Sequence, residues 1–297
     1  MLAWKDLIQR EDPDIIIGYN IFGFDYEFML HRASETDCCE EFLKLSRNID
    51  EVCGERSKST GKYQIQESSI VIASGQHDLK FIKMNGRIQV DLYNYFRRDY
   101  NLSSYKLDSV SGHFIGDAVK EKQRNMDSTL IKSGNLTGLK DQSYICFEEL
   151  GHSSELYADG KKFQVFNVNE KDGTFEIKED IEFPKKSIRW CMAKDDVTPQ
   201  DIFRLTNESA AGRSTIAKYC IQDCNLVHYL MTKIDVLTGF IEMAKICSVP
   251  IDFIIMRGQG IKLLSFIAKK CREKNTLLPV IEKKENDGGY EGAIVLE

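Results

Sequence analysis

Two aspartates, far apart in the chain, sit in the settings with most chemical promise. In Gly18-Tyr19-Asn20-Ile21-Phe22-Gly23-Phe24-Asp25, the β-branched run Ile15-Ile16-Ile17 delivers the chain to a tight turn, and Asp25 emerges where a helix begins. A carboxylate fixed there suits a hard divalent cation such as Mg²⁺. Phe24 beside it offers a face on which a base could stack. The plainer account is that Asp25 favours a helix N-terminus and Phe24 belongs to a core. In Tyr219-Cys220-Ile221-Gln222-Asp223, helical spacing puts Tyr219 and Asp223 on one face. The phenol could orient an attacking water while Asp223 holds a cation. Two-metal phosphodiester hydrolysis needs acidic ligands that set the ions roughly 3.5–4 Å apart. An amphipathic helix with a solvated aspartate would read the same way.

Three further clusters compete for attention. In Gly288-Gly289-Tyr290-Glu291-Gly292-Ala293 the glycines allow close backbone approach to a ligand and Tyr290 could stack on a base, although a Gly-rich turn before a strand at Ala293–Leu296 explains the same residues. Asp180-Ile181-Glu182 spells an acidic pair, but it lies among solvated Lys and Glu ahead of Pro184 and reads as a charged edge. The nine cysteines form no C-x-x-C pair, and the spacing of Cys220 and Cys224 is completed by no second pair or His cluster into a zinc site. They read as free thiols of a reducing compartment.

The elements that must position these residues follow from periodicity. Residues 4–12 read as a short helix broken at Asp12-Pro13-Asp14, and Ile15–Gly18 as a fully buried strand. A helix follows Gly23, residues 54–69 read as a loop, and Asn85-Gly86 between two apolar runs predicts a hairpin. Residues 92–114 suggest two short helices. From about 120 to 199 the period changes to two, with Asp159-Gly160 and Asp172-Gly173 as turns, which predicts a separate subdomain of short antiparallel strands. Helical period returns at Asp201, with one long helix through Ile216, Asp223 and Leu230, and another from Gly260 to Cys271. The composition, 42% hydrophobic and 29% charged over 297 residues, is that of a globular chain able to bury a sizeable core. No apolar run approaches the ~18 residues of a membrane span, and Met1–Asp6 lacks the basic and apolar regions of a signal peptide. A net charge of −6 excludes a bulk nucleic-acid glue, so any such contact needs a local patch or bound metal.

In this order the motifs resemble those of a family B DNA polymerase over nearly the whole chain. Asp14 to Asp25 resembles the second proofreading-exonuclease motif of that family and Tyr219 to Asp223 the third. Gly86-Arg87-Ile88-Gln89-Val90-Asp91 and Tyr105 to Gly116 resemble the delta-type enzymes. Arg257 to Ser265 resembles the segment leaving the exonuclease, and Tyr290-Glu291-Gly292-Ala293 the linker motif before the palm. The long insertion is similar to that of polymerases of large nucleocytoplasmic DNA viruses. The resemblance implies an α/β, ribonuclease H-like 3′→5′ exonuclease fold, divided as exonuclease 1–119, β-rich insertion 120–199, exonuclease 200–248 and a helical lead-in to the palm over 249–297. It implies Asp25 and Asp223 as ligands of two Mg²⁺ ions, Tyr219 as the residue positioning water, and Asn20 and Phe24 as contacts of the frayed primer 3′ end. Tyr290, Gly292 and Ala293 would track single-stranded template. The partners implied are DNA and the remainder of the polymerase chain, with no membrane, at an intracellular site in the nucleus or a viral replication compartment.

The departures are equally specific. The family's first exonuclease motif, an Asp-x-Glu on a strand, precedes the second, and none of the thirteen residues before Asp14 spell it. No Ser-Leu-Tyr-Pro, Asp-Thr-Asp-Ser or Lys-x₃-Asn-x₂-Tyr-Gly of the palm is present. The expectation is an internal fragment, incomplete at its N-terminus, with little or no nuclease activity alone. Two other readings stay open: a non-catalytic module binding single-stranded DNA or a replication partner, and a stand-alone ribonuclease H-like nuclease using Asp180 and Glu182.

Overall fold

The structure, a computed structural model, describes residues 1–279 except 73–74, 126, 152–153, 183–186 and 194–196; Tyr290, Gly292, Ala293 and the strand expected at 293–296 lie outside the described residues. α1 (Leu2–Glu11) stops where Asp12 turns left-handed ahead of Pro13, and β1 (Ile15–Gly18) follows. A single π-helical turn, Ile21–Asp25, leads into α2 (Tyr26–Glu35) and the short α3 (Cys39–Phe42). Next come two antiparallel pairs, β2 (Glu55–Arg56) with β3 (Tyr63–Gln64), and β4 (Gln66–Ile72) with β5 (Gly75–Phe81). β6 (Ile88–Asp91) runs directly into α4 (Leu92–Asp99), and α5 (Leu107–Phe114) follows.

β1 and β6 pair in parallel, from Ile15 opposite Ile88 to Gly18 opposite Asp91. Strand alternation decides where each side chain goes. Ile15 and Ile17 pack on a cluster that includes Val90, Leu92 and Phe96, whereas Ile16 packs on a second cluster built from Phe22, Tyr26, Leu30 and Leu79. The strand pair is therefore the wall between two cores, and both strands end together at Gly18 and Asp91.

Several expectations from sequence are corrected here. The Asn85-Gly86 turn does not close a hairpin: β5 pairs back onto β4, and β6 is taken by the parallel pairing with β1. Gly86 still needs its left-handed conformation, φ 82°, but the turn packs under Arg47. Residues 54–69 are not simply a loop, because they hold β2, β3 and the start of β4. Ile15–Gly18 is half-buried rather than fully buried, and its sheet has two strands among the described residues.

The β-rich region is β7 (Gly116–Asn125), β8 (Ser128–Ser133), β9 (Tyr144–Leu150), β10 (Ser154–Leu156), β11 (Phe163–Asn169), β12 (Thr174–Ile177) and β13 (Ser187–Ala193). Its pairings run β9–β11–β12–β8–β7–β13 and return from β13 to β9, so six antiparallel strands close into a barrel with β10 added at β9. Closure removes the free edges that an open sheet of this size would expose. Inside lie Ile131, Phe147, Val165, Phe175 and Trp190; the buried indole Nε1 of Trp190 donates to Ser133 Oγ at 2.9 Å. The barrel does not have a core of its own. Its interior is continuous with the cluster holding Val90, Phe96 and the helical residues Leu226 and Leu230.

α6 (Pro199–Glu208) opens on a capping box formed by Thr198 and Asp201, with proline in the first turn. α7 (Ala210–Lys233) buries Leu226, Val227 and Leu230 in its second half and packs against β1. α8 (Val236–Cys247), α9 (Ile251–Met256) and α10 (Gln259–Glu273) follow. No described helix is long and apolar enough to cross a membrane.

Candidate functional site

In parallel sheets the ends of the strands, where backbone direction and loops converge, are the usual seat of ligands. Here β1 ends at Gly18 and the chain reverses at Asn20, whose φ of 63° is left-handed, a conformation that asparagine tolerates better than most residues. The carbonyl of Asn20 accepts the amides of Gly23 at 3.1 Å and Phe24 at 3.0 Å, which shapes the π-helical turn ending at Asp25. A Cβ at Gly23 would lie 2.3 Å from Asn20 Oδ1, so the Asn20 side chain lies across the turn. Asp25 is half-buried, and burial raises its carboxyl above the ordinary value, opposed by its own backbone amide. Phe24 and Phe28 stay 59% and 55% exposed and stack on each other, centroids 5.7 Å apart at 14°.

Asp223 lies in the middle of α7, with Tyr219 one turn before it and half-buried on the same face. One Asp223 carboxylate oxygen, Oδ1, is buried. The Cys224 thiol is pushed up first by burial, then by the charge of Asp223, and also by the charge of Asp25. α7 packs across β1, the strand that leads into the turn carrying Asp25. Asp180 and Glu182 are not drawn into this group by any described contact. Asp180 is paired with Arg124 of β7 at 2.8 Å, and Glu182 is exposed beside the barrel, its backbone carbonyl accepting the Tyr157 hydroxyl.

Sequence reasoning missed one participant. Asp91, the last residue of β6, is 3% exposed and accepts four hydrogen bonds: from the amides of Asn20 at 2.7 Å, Phe22 at 3.0 Å and Tyr93 at 3.0 Å, and from Asn94 Nδ2 at 3.0 Å. Burial raises its carboxyl to about 6, against the lowering effect of those donors. The available signal was an aspartate between a strand run and a helix, the usual place of an N-cap. Its contacts with the distant turn at Asn20 and Phe22 leave no local pattern. Tyr19, on the other side of the turn, donates its hydroxyl to the Tyr105 carbonyl at 2.5 Å and ties the turn to the segment before α5.

Residues 1–110 match the model of the DNA polymerase family B exonuclease domain. Over 299 aligned residues the chain is 48% identical to the DNA polymerase of Phaeocystis pouchetii virus, covering 99% of this chain and 29% of that protein. It is 29% identical to the DNA polymerase delta catalytic subunit of Oryza sativa subsp. japonica, covering 100% of this chain and 19% of the relative. The family B DNA polymerase of the archaeon Pyrobaculum calidifontis has a similar fold, with a TM-score of 0.50 at 17% identity, over 99% of this chain and 25% of that one. The fold is thus the ribonuclease H-like one of an exonuclease domain. The first 110 residues are exonuclease-domain sequence of the DNA polymerase family B type. The chain spans less than a third of the length of these relatives.

Proposed function

We propose that this chain forms part of the proofreading exonuclease of a replicative DNA polymerase, the part that receives a frayed primer 3′ end and holds a divalent cation against its terminal phosphodiester. The observation that carries this reading is the packing of α7, which bears Tyr219 and Asp223, against β1, the strand that leads into the turn delivering Asp25. The donor set fits a hard cation: two carboxylates, one of them half-buried and raised by burial, the other with a buried oxygen. Among the described residues no group of three or more His, Cys, Asp and Glu is placed to hold a metal ion, so the protein ligands would be these two carboxylates alone. Asp25 and Asp223 would hold it, and a bound cation supplies charge neutralisation at the phosphate. Tyr219 orients a water from the same helix face as Asp223. Asn20 meets the terminal sugar–phosphate, and the exposed Phe24 stacks on the terminal base. Tyr290, Gly292 and Ala293 contact single-stranded template. The setting is a nuclear or viral site of DNA replication.

The test is cation and DNA binding by the chain itself. Mn²⁺ titrated by electron paramagnetic resonance should bind weakly to the wild type, and Asp25→Asn and Asp223→Asn should each abolish that binding. An oligonucleotide with 2-aminopurine at its 3′ terminus should be quenched on binding, and Phe24→Ala should remove the quenching. Mn²⁺ binding that survives both substitutions overturns the cation assignment. DNA binding with no Mn²⁺ dependence would make the chain a non-catalytic binding module.

A further inference from the structure

We propose that Asp91 is a positioning residue for the turn that carries Asn20 and Asp25, an inference that rests on the reading of Asp25 and Asp223 as cation ligands. Its two oxygens divide four donors between them. Oδ1 accepts the Asn20 and Tyr93 amides; Oδ2 accepts the Phe22 amide and Asn94 Nδ2. Capping α4 needs only one of these bonds, that to Tyr93, and one oxygen suffices for it. A neutral serine or asparagine could supply that oxygen without placing a carboxylate in the interior, where desolvation is costly. The remaining bonds explain why a carboxylate stands here. Two of them fix the amides on either side of Ile21, at the entrance to the π-helical turn. The Asn20 carbonyl then sets the next amides, Gly23 and Phe24, and the turn delivers Asp25. Gly18 and Asp91 are paired in register, so the latch sits where the two strands end. Groups that orient a metal ligand without touching the metal typically change metal affinity 10–100-fold when removed.

Two substitutions separate the latch from the cap. Asp91→Ser keeps an oxygen for the Tyr93 amide but is too short to hold Asn20 and Phe22. Asp91→Asn keeps one oxygen, so it serves one pair of donors and turns an N–H group towards the other. In the metal-free chain, hydrogen exchange at the Asn20 and Phe22 amides should accelerate roughly 10-fold or more in Asp91→Ser, with exchange in the body of α4 unchanged. Mn²⁺ affinity should fall about 10-fold in the same variant. Unchanged exchange at Asn20 and Phe22 overturns the latch. Faster exchange with Mn²⁺ affinity within about twofold of wild type overturns its role in positioning Asp25. If wild-type Mn²⁺ binding does not depend on Asp25 and Asp223, the cation reading falls, and the exchange measurement still decides whether Asp91 holds the turn. Should Asp91→Ser fail to fold, Asp91→Asn gives the same two readouts.

Discussion

The two ends of the β1–β6 pair handle charge in opposite ways. At the entry end, charge meets charge. The Arg87 side chain is 2% exposed and donates to the Leu45 carbonyl at 2.9 Å, the Pro13 carbonyl at 2.7 Å and Asp12 Oδ1 at 2.8 Å. Arg47 bridges Asp12 and Asp14 at 2.9 and 2.6 Å. The Arg47 and Arg87 guanidiniums hold the Asp12 carboxyl below the usual carboxylate range. At the exit end the carboxyls move the other way: burial raises Asp91 and Asp25, and Asp91 is held by amides rather than by cations. The entry end is electrically complete and serves to lock the strand pair. The exit end concentrates negative charge whose ionisation the fold disfavours, and a divalent cation would relieve that. The same two strands thus separate a charge cluster of paired groups from the carboxyls proposed to hold and position the cation.

Breaking the entry end should give the largest effect. Arg87→Ala leaves two backbone carbonyls without their donor and should cost about 3 kcal/mol, measured by urea unfolding. Because the substitution is remote from the turn at Asn20–Asp25, Mn²⁺ affinity of the folded fraction should stay within about twofold. A large loss of cation binding with little loss of stability would reverse the assignment of the two ends.

How much of this contrast was legible in the sequence differs between its halves. Asp25 and Asp223 stand out in the sequence, as candidates, because each sits in a local pattern, a strand–turn–helix and a helical i,i+4 pair. The long helix of Tyr219 and Asp223, α10 and the helix pair over 92–114 were readable for the same reason. Asp91 was not, because its function lies in amides donated by residues that only the fold brings near. The Asn85-Gly86 turn misled because a hairpin signal reports local geometry, whereas the partner of β6 was decided by β1, a nonlocal pairing. The barrel was legible as alternating strands but not as a barrel, since closure depends on β13 meeting β9. The shared core was hidden likewise, because the packing of Phe147 and Trp190 in one cluster with Leu226 and Leu230 of α7 is a nonlocal contact.

The exit end can be tested through pH. Asp91 ionises at about 6 in the folded protein and at its ordinary value of 3.8 when unfolded. Between these values the folded state holds the extra proton. Stability from this group is therefore full only well below pH 3.8 and is lost as pH rises through 6, a change of about 3 kcal/mol over the whole range. Carboxyls lowered by ion pairs, such as Asp12, oppose this trend in the whole protein. The readout is thus the difference between wild type and Asp91→Asn. His77, which lines the same cavity together with Arg98, titrates in both proteins and cancels, and burial keeps Tyr19 and Tyr26 neutral in this range. The difference should shift in favour of the variant by about 2.4 kcal/mol between pH 4 and 7. A flat difference would mean that Asp91 is not buried in its ionised form.

The smallest and most selective effect should come from Gly23→Ala. Its new Cβ would meet Asn20 Oδ1 at 2.3 Å, and that atom is the end of a side chain that can rotate away. Gly23 has no left-handed backbone angle to lose, so the strain stays in the side-chain contact. Unfolding free energy should change by less than about 1 kcal/mol, because the displaced group is half-exposed at the surface of the turn. Asn20 would, however, no longer lie across the turn, and affinity for single-stranded DNA with a free 3′ end should fall several-fold while Mn²⁺ binding at Asp25 persists. Fluorescence anisotropy with 3′-free and 3′-blocked oligonucleotides distinguishes the outcomes. A loss confined to the free 3′ end places Asn20 on the primer terminus. An equal loss for both would make it a general backbone contact, and no loss would remove it from the DNA-binding surface and leave Phe24 as the contact made by this turn.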